Sequence, residues 1–166
     1  GPMMPHTAYS AANFAVKGFT EALINDLRLN APHIKCSVVM PGHIGTSIVS
    51  NSRKIQTGGN SADLSAEEVA QARLRMREMG INVDAMPDEA VRKIAADRAR
   101  RFLDEAPMTA AQAATVILNG VKEERWRILV GEDAHVLDKM VRANPEAAYT
   151  KEFHEQFVAA ARWRLG

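Results

Sequence analysis

Between Ser10 and Asn30, apolar residues recur with the period of a helix. Ala15, Phe19, Leu23 and Leu27 stand at i, i+4, i+8 and i+12, and Ala12, Val16 and Ile24 widen the stripe. The spacing predicts an amphipathic helix, and Asn30-Ala31-Pro32 predicts its end. Gly18 inside it costs roughly 1 kcal/mol of helix propensity against alanine, so a closely packed neighbour is the expected reason for it. The period then changes. Lys35 to Met40 is short, mostly apolar and closed by Pro41-Gly42, the pattern of a buried, commonly parallel strand. Gly42 to Asp63 is rich in Gly, Ser, Asn and Thr and is predicted as loop.

Ser65-Ala66-Glu67-Glu68 is a capping box that opens a second helix, lined by Val69, Ala72, Met76 and Met79 and ended by Gly80. Pro87, followed by Asp88 and Glu89, opens a third, with Val91, Ile94, Ala95 and Phe102 on its apolar face. Thr109-Ala110-Ala111-Gln112 is another capping box, before a helix carrying Ala113, Ile117 and Val121. Arg127 to Val130 is a second short apolar strand, closed by Gly131. Val136, Leu137, Met140 and Val141 mark a further helix. After Asn144-Pro145, the residues Phe153, Phe157, Ala160 and Trp163 mark a terminal one.

Helices alternating with buried strands give an α/β chain, predominantly helical with about two short parallel strands. Two strands have open edges and little independent stability. An incomplete Rossmann-type unit is therefore expected, one that finds neighbours for its sheet elsewhere. Self-association through the Tyr9–Asn30 helix or the exposed strand edge is the expected way of covering those surfaces.

Charge narrows the partners. Lys+Arg number 21 against 20 Asp+Glu, a formal charge of +1, which argues against nucleic-acid binding driven by net charge. No apolar run approaches the roughly 20 residues that span a bilayer, so no membrane partner is expected. The single cysteine, Cys36, excludes an intrachain disulfide and a multi-cysteine zinc site. It fits a reducing compartment, so a cytoplasmic location is expected; within a strand, Cys36 is expected as a small buried hydrophobe. His6, His33, His43, His135 and His154 show no metal-ligand spacing, and no metal is assigned.

The chemistry lies near the start. Tyr9-Ser10-Ala11-Ala12-Asn13-Phe14-Ala15-Val16-Lys17-Gly18-Phe19 places Tyr9 and Asn13 one turn apart on one helix face. The next strand runs into Pro41-Gly42-His43-Ile44-Gly45-Thr46. This order of helix, strand and Pro-Gly-x-x-x-Thr strongly resembles the active-site segment of the short-chain dehydrogenase/reductase family, whose members carry Tyr-x-x-x-Lys here. The resemblance is close from Tyr9 to Thr46 and looser to Gly131. It implies a single partial domain over 1–166. Within it, 9–46 would hold the active-site helix, strand and Pro-Gly loop, 47–107 a lid-like helical insertion, and 108–166 the last helix–strand unit and the terminal helices. It also implies hydride transfer with NAD or NADP, Tyr9 as acid/base, and cofactor contacts from Ile44 through its backbone and Thr46 through its hydroxyl. Pro41 and Gly42 would shape the turn.

The sequence departs from the pattern at Asn13, which stands at the usual lysine position. A tyrosine whose ordinary pKa is near 10 needs a neighbouring positive charge to work near neutrality, and a neutral amide supplies none. Lys17 lies eight residues from Tyr9, roughly 12 Å along a helix. The resemblance places the family's substrate-polarising serine and its glycine-rich phosphate turn upstream of Tyr9, and no G-x-G-x-x-G occurs in the 166 residues. The expectation is the C-terminal portion of such an oxidoreductase, inactive alone and with no cofactor bound to this chain. The alternatives are a non-catalytic, self-associating interaction module or an enzyme half completed in trans.

Overall fold

A computed structural model describes residues 7–58, 64–78 and 81–161. The chain divides into two compact units, Gly1–Ile44 with Met108–Gly166, and Gly45–Pro107. The architecture is mostly helical α/β with short two-stranded sheets.

In the first unit, helix α1 (Thr7–Asn30) leads to strand β1 (Val38–Pro41). β1 pairs in parallel with β4 (Arg127–Val130), Val38 opposite Arg127 and Pro41 opposite Val130. The strand starts three residues later than its apolar pattern predicts, and Cys36 before it is half-buried rather than buried. A second, minimal ladder joins β2 (Ile44–Gly45) to β3 (Met108–Thr109). Helix α5 (Ala110–Lys122) starts from the capping box: the Gln112 amide donates to Thr109 Oγ1 at 3.3 Å, and the Thr109 amide donates to Gln112 Oε1 at 2.9 Å. Two orphan donors are thereby satisfied. α5 lies directly on β4 because Gly120 faces Ile128, where an added Cβ would stand 2.7 Å from Cδ1. Ile44, Ala113, Ile128 and Val130 form the core there.

Helix α6 (Glu132–Ala143), a 3-10 turn (Glu146–Tyr149) and helix α7 (Lys151–Ala160) complete the unit, with Ala148, Phe153 and Phe157 buried. Trp163 lies outside the described residues. Arg127 on β4 and Arg142 on α6 both hold Asp138. Burial opposes ionisation of that carboxyl, but the Arg127 hydrogen bond and charge, joined by Arg142, outweigh it and hold its pKa below the usual value.

One expectation for α1 is corrected. Nothing lies within 4 Å of the Cβ position at Gly18, so no close neighbour explains this glycine. No residue of α1 is buried, and Phe19 in the middle of its apolar stripe is 68% exposed. The half-buried positions include Leu23, Ile24 and Leu27 of the stripe together with Lys17, Thr20 and Glu21. Periodicity located the helix and its apolar face; the later part of that face, at Leu23, Ile24 and Leu27, is half-covered, whereas Val16 and Phe19 stay exposed.

The second unit contains α2 (Ile48–Thr57), α3 (Ala66–Glu78) and α4 (Asp88–Asp104). The predicted loop over Gly42–Asp63 is thus partly wrong. A ten-residue helix runs through Ser50, Asn51 and Ser52, and Gly58 ends it at φ 73 with its amide bonded to the Lys54 carbonyl. α3 has the predicted box, with Glu68 N–H on Ser65 Oγ (3.2 Å) and Ser65 N–H on Glu68 Oε2 (2.7 Å). Met79 and Gly80 lie outside the described residues. Pro87 takes the N-cap position of α4, one residue earlier than expected. Leu64, Val69, Met76, Val83 and Val91 form the core. Arg73 ties the inter-helix loop to α3 and α4 by donating to the Val83 and Met86 carbonyls and to Asp88.

Arg53 of α2 meets Glu68 of α3 through two guanidinium–carboxylate bonds of 2.5 and 3.0 Å. That hydrogen bond first, then the Ser65 amide, lowers the Glu68 pKa from 4.5 to about 2. A carboxyl with a depressed folded-state pKa stabilises fully above its unfolded value and loses that contribution as pH falls through the folded one. Urea midpoints of wild type and Glu68→Gln are therefore expected to differ above about pH 4.5 and to converge towards pH 2. Parallel curves across that window would show that the pair does not stabilise the unit.

Candidate functional site

Tyr9 occupies the first turn of α1, with its side chain 58% exposed. One turn on, Asn13 Nδ2 donates to the Tyr9 carbonyl at 2.8 Å. The amide thus bonds back into its own helix. The next cation along α1, Lys17, is held by Glu21 at 2.7 Å. Position 13, one turn from the phenol, therefore carries no charge.

α1 lies against β1, which carries the chain into Pro41-Gly42-His43-Ile44. The Gly42 amide donates to the Val130 carbonyl at 2.8 Å and continues the parallel ladder past the strand end. The His43 amide then donates to Asp133 Oδ2 at 2.6 Å. Asp133 sits in the first turn of α6 and is only 5% exposed. A negative charge is favoured at that helix end, and this offsets part of the cost of burying it. Two glycines make the room. A methyl at Gly42 would overlap the Asp133 carboxylate, and one at Gly131 would stand 2.5 Å from Oδ1. Gly131 also has φ +100, a conformation that side chains disfavour. Ile44 turns its side chain into the core with Ala113, Ile128 and Val130.

The first unit thus gathers Gly42, His43 and Ile44 against Gly131 and Asp133, and sets Tyr9 beside Asn13 on α1. Pro41 is exposed at the end of β1. Thr46 belongs to the second unit, half-buried just before Ser47, the N-cap residue of α2, which makes no side-chain cap bond. Asp133 was not singled out from the sequence. The only local signal for it is Gly131-Glu132-Asp133, a glycine with an acidic pair opening a helix, and its partner is 90 residues away.

These residues do not fit a nicotinamide dinucleotide by themselves. The helix position that would steady the phenol is a neutral amide engaged with its own backbone, and the space beside Gly42 is filled by the Asp133 carboxylate. Among the described residues, no group of three or more His, Cys, Asp or Glu is placed to hold a metal ion. No helix among them is long and apolar enough to cross a membrane.

No family model matches the chain, and no solved structure matches it. Two curated proteins do, both named "Putative oxidoreductase SadH", from Mycobacterium tuberculosis strains CDC 1551 / Oshkosh and ATCC 25618 / H37Rv. Each is 29% identical over 136 residues, 82% of this chain and 37% of the relative. The chain spans little more than a third of the length of the curated relatives it matches. It is a distant relative of a protein named as an oxidoreductase.

Proposed function

We propose that this chain is the active-site-helix portion of a short-chain dehydrogenase/reductase-like oxidoreductase using NAD or NADP, and that alone it does not turn over. One observation carries the reading. The Tyr9 helix lies against a parallel strand that ends in Pro41-Gly42, with Ile44 and Thr46 following in the order the motif requires. The similarity to an oxidoreductase over 82% of the chain supports it. Tyr9 is the proton-exchanging group in this reading, and Asn13 leaves it without the charge that would make it effective. The dinucleotide's phosphates are held by residues other than these 166.

Calorimetry of NADH and NADPH against the purified chain tests this. Neither is expected to give a saturable heat at sub-millimolar concentration. Tight binding of either would overturn the inactive-portion reading.

Exposure of α1 favours a second reading, a self-associating module. Val16 and Phe19, one turn apart on the apolar stripe, are more than half exposed on a helix with no buried residue. Such a face is stabilised by burial against another surface. Sedimentation at several concentrations separates the two. A stable, well-folded monomer counts against the module.

A further inference from the structure

We propose that Asp133 is the positioning residue of the Pro41–Gly42–His43–Ile44 turn. Its carboxylate holds the His43 peptide between the β1–β4 ladder, which runs to Gly42, and β2, which starts at Ile44, in the backbone that the proposed function assigns to the nicotinamide end of the cofactor, and the inference rests on that reading for its functional meaning.

The strand ladder reaches only as far as the Gly42 amide, whose acceptor is the Val130 carbonyl. The next amide, at His43, bonds to Asp133 Oδ2 at 2.6 Å in a site where the aspartate is 5% exposed. That bond is charge-assisted, and such bonds are about twice as strong as neutral ones. Both glycines bordering the carboxylate lack the side chain that would exclude it, and Gly131 adopts φ +100 as the chain passes from β4 into α6. Oδ1 is buried and has no hydrogen-bond partner among the described residues, so the carboxylate is retained at a cost in solvation. A glycine at each border, an amide donor and a helix N-terminus converge on one side chain, and the part of the turn held by that side chain leads directly to Ile44. Asp133 itself touches no reacting group; it acts through the His43 peptide.

Amide hydrogen exchange, read residue by residue in NMR spectra of the whole chain, tests the inference. In wild type, His43 is expected to be protected to the same order as the ladder amide of Gly42. In Asp133→Asn, which keeps an oxygen acceptor, most of that protection is expected to survive. In Asp133→Ala, His43 is expected to exchange roughly ten- to a hundred-fold faster, with a smaller acceleration at Ile44 and none at Val39. A purely structural role would instead accelerate exchange across β1 in both variants. The proposal is overturned if wild-type His43 exchanges like an unbonded amide. That result needs no variant, and it decides the matter even where Asp133→Ala fails to fold. Equal loss in the Asn and Ala variants also overturns it. Either result leaves the oxidoreductase reading standing, whereas tight NADH or NADPH binding by the chain alone overturns the inactive-portion reading without touching the His43 bond.

Discussion

Phe157→Ala is expected to lower the unfolding free energy by about 3–5 kcal/mol, the usual loss for truncating a buried phenylalanine. Phe157 is 2% exposed and lies with Phe153 on the inner face of α7. The two rings and Ala148 secure the terminal helix to α6 and the 3-10 turn. Truncation leaves a cavity that short, separately capped helices close only in part. For a chain of this size, each kcal/mol corresponds to roughly 2–4 °C in Tm, so a drop of about 6–20 °C in a thermal melt is the expected reading. A drop of a degree or two would show that α7 is not packed as described. The contrast is Tyr149→Ala: Tyr149 is 75% exposed and its loss is expected to change little.

Gly42→Val is expected to cost a similar amount, about 3–5 kcal/mol, by a different route. A Cβ there overlaps the Asp133 carboxylate. Either the carboxylate moves and abandons the His43 amide, or the turn does. Losing a charge-assisted bond in a buried site costs about 1.5–3 kcal/mol, and overpacking adds about 1–3 kcal/mol. Denaturant unfolding of Gly42→Val and Gly18→Ala side by side checks the argument. Gly18 has nothing within 4 Å of its Cβ position and sits within α1, so alanine there is expected to stabilise by up to about 1 kcal/mol. Equal effects at the two glycines would mean that Gly42 does not border a filled space.

How far the sequence disclosed this structure depends on the range of the interaction that decides each feature. Ser65–Glu68 and Thr109–Gln112 carry their whole signal within four residues, and both form as capping boxes. Val38–Val39–Met40 and Ile128–Leu129–Val130 are legible as strands because each is apolar and closed by a turn, and their uninterrupted apolar runs pointed to the parallel pairing that they make. α2 was missed because Ser50, Asn51 and Ser52 are weak helix formers; its order comes from Gly58 at the end and from Arg53 reaching Glu68. The apolar stripe of α1 was legible, but how far other elements cover it is a tertiary matter: Leu23, Ile24 and Leu27 are half-covered and Phe19 is not. Tyr9 and Asn13 were legible as neighbours by helical spacing. Asp133 was not, because a buried carboxylate that serves a backbone amide 90 positions away has no local pattern.

The comparison with SadH bears on the class of chemistry and on nothing finer. In the proposed reading the limit is local and physical: Asn13, a neutral side chain one turn from Tyr9, is engaged with the Tyr9 carbonyl.

The most direct test is a spectrophotometric assay of the purified chain with NADH or NADPH and a panel of carbonyl compounds, run beside Tyr9→Phe. The account predicts no saturable consumption of reduced nicotinamide and no difference between the two proteins. Saturable consumption by the wild-type chain that vanishes in Tyr9→Phe would contradict it.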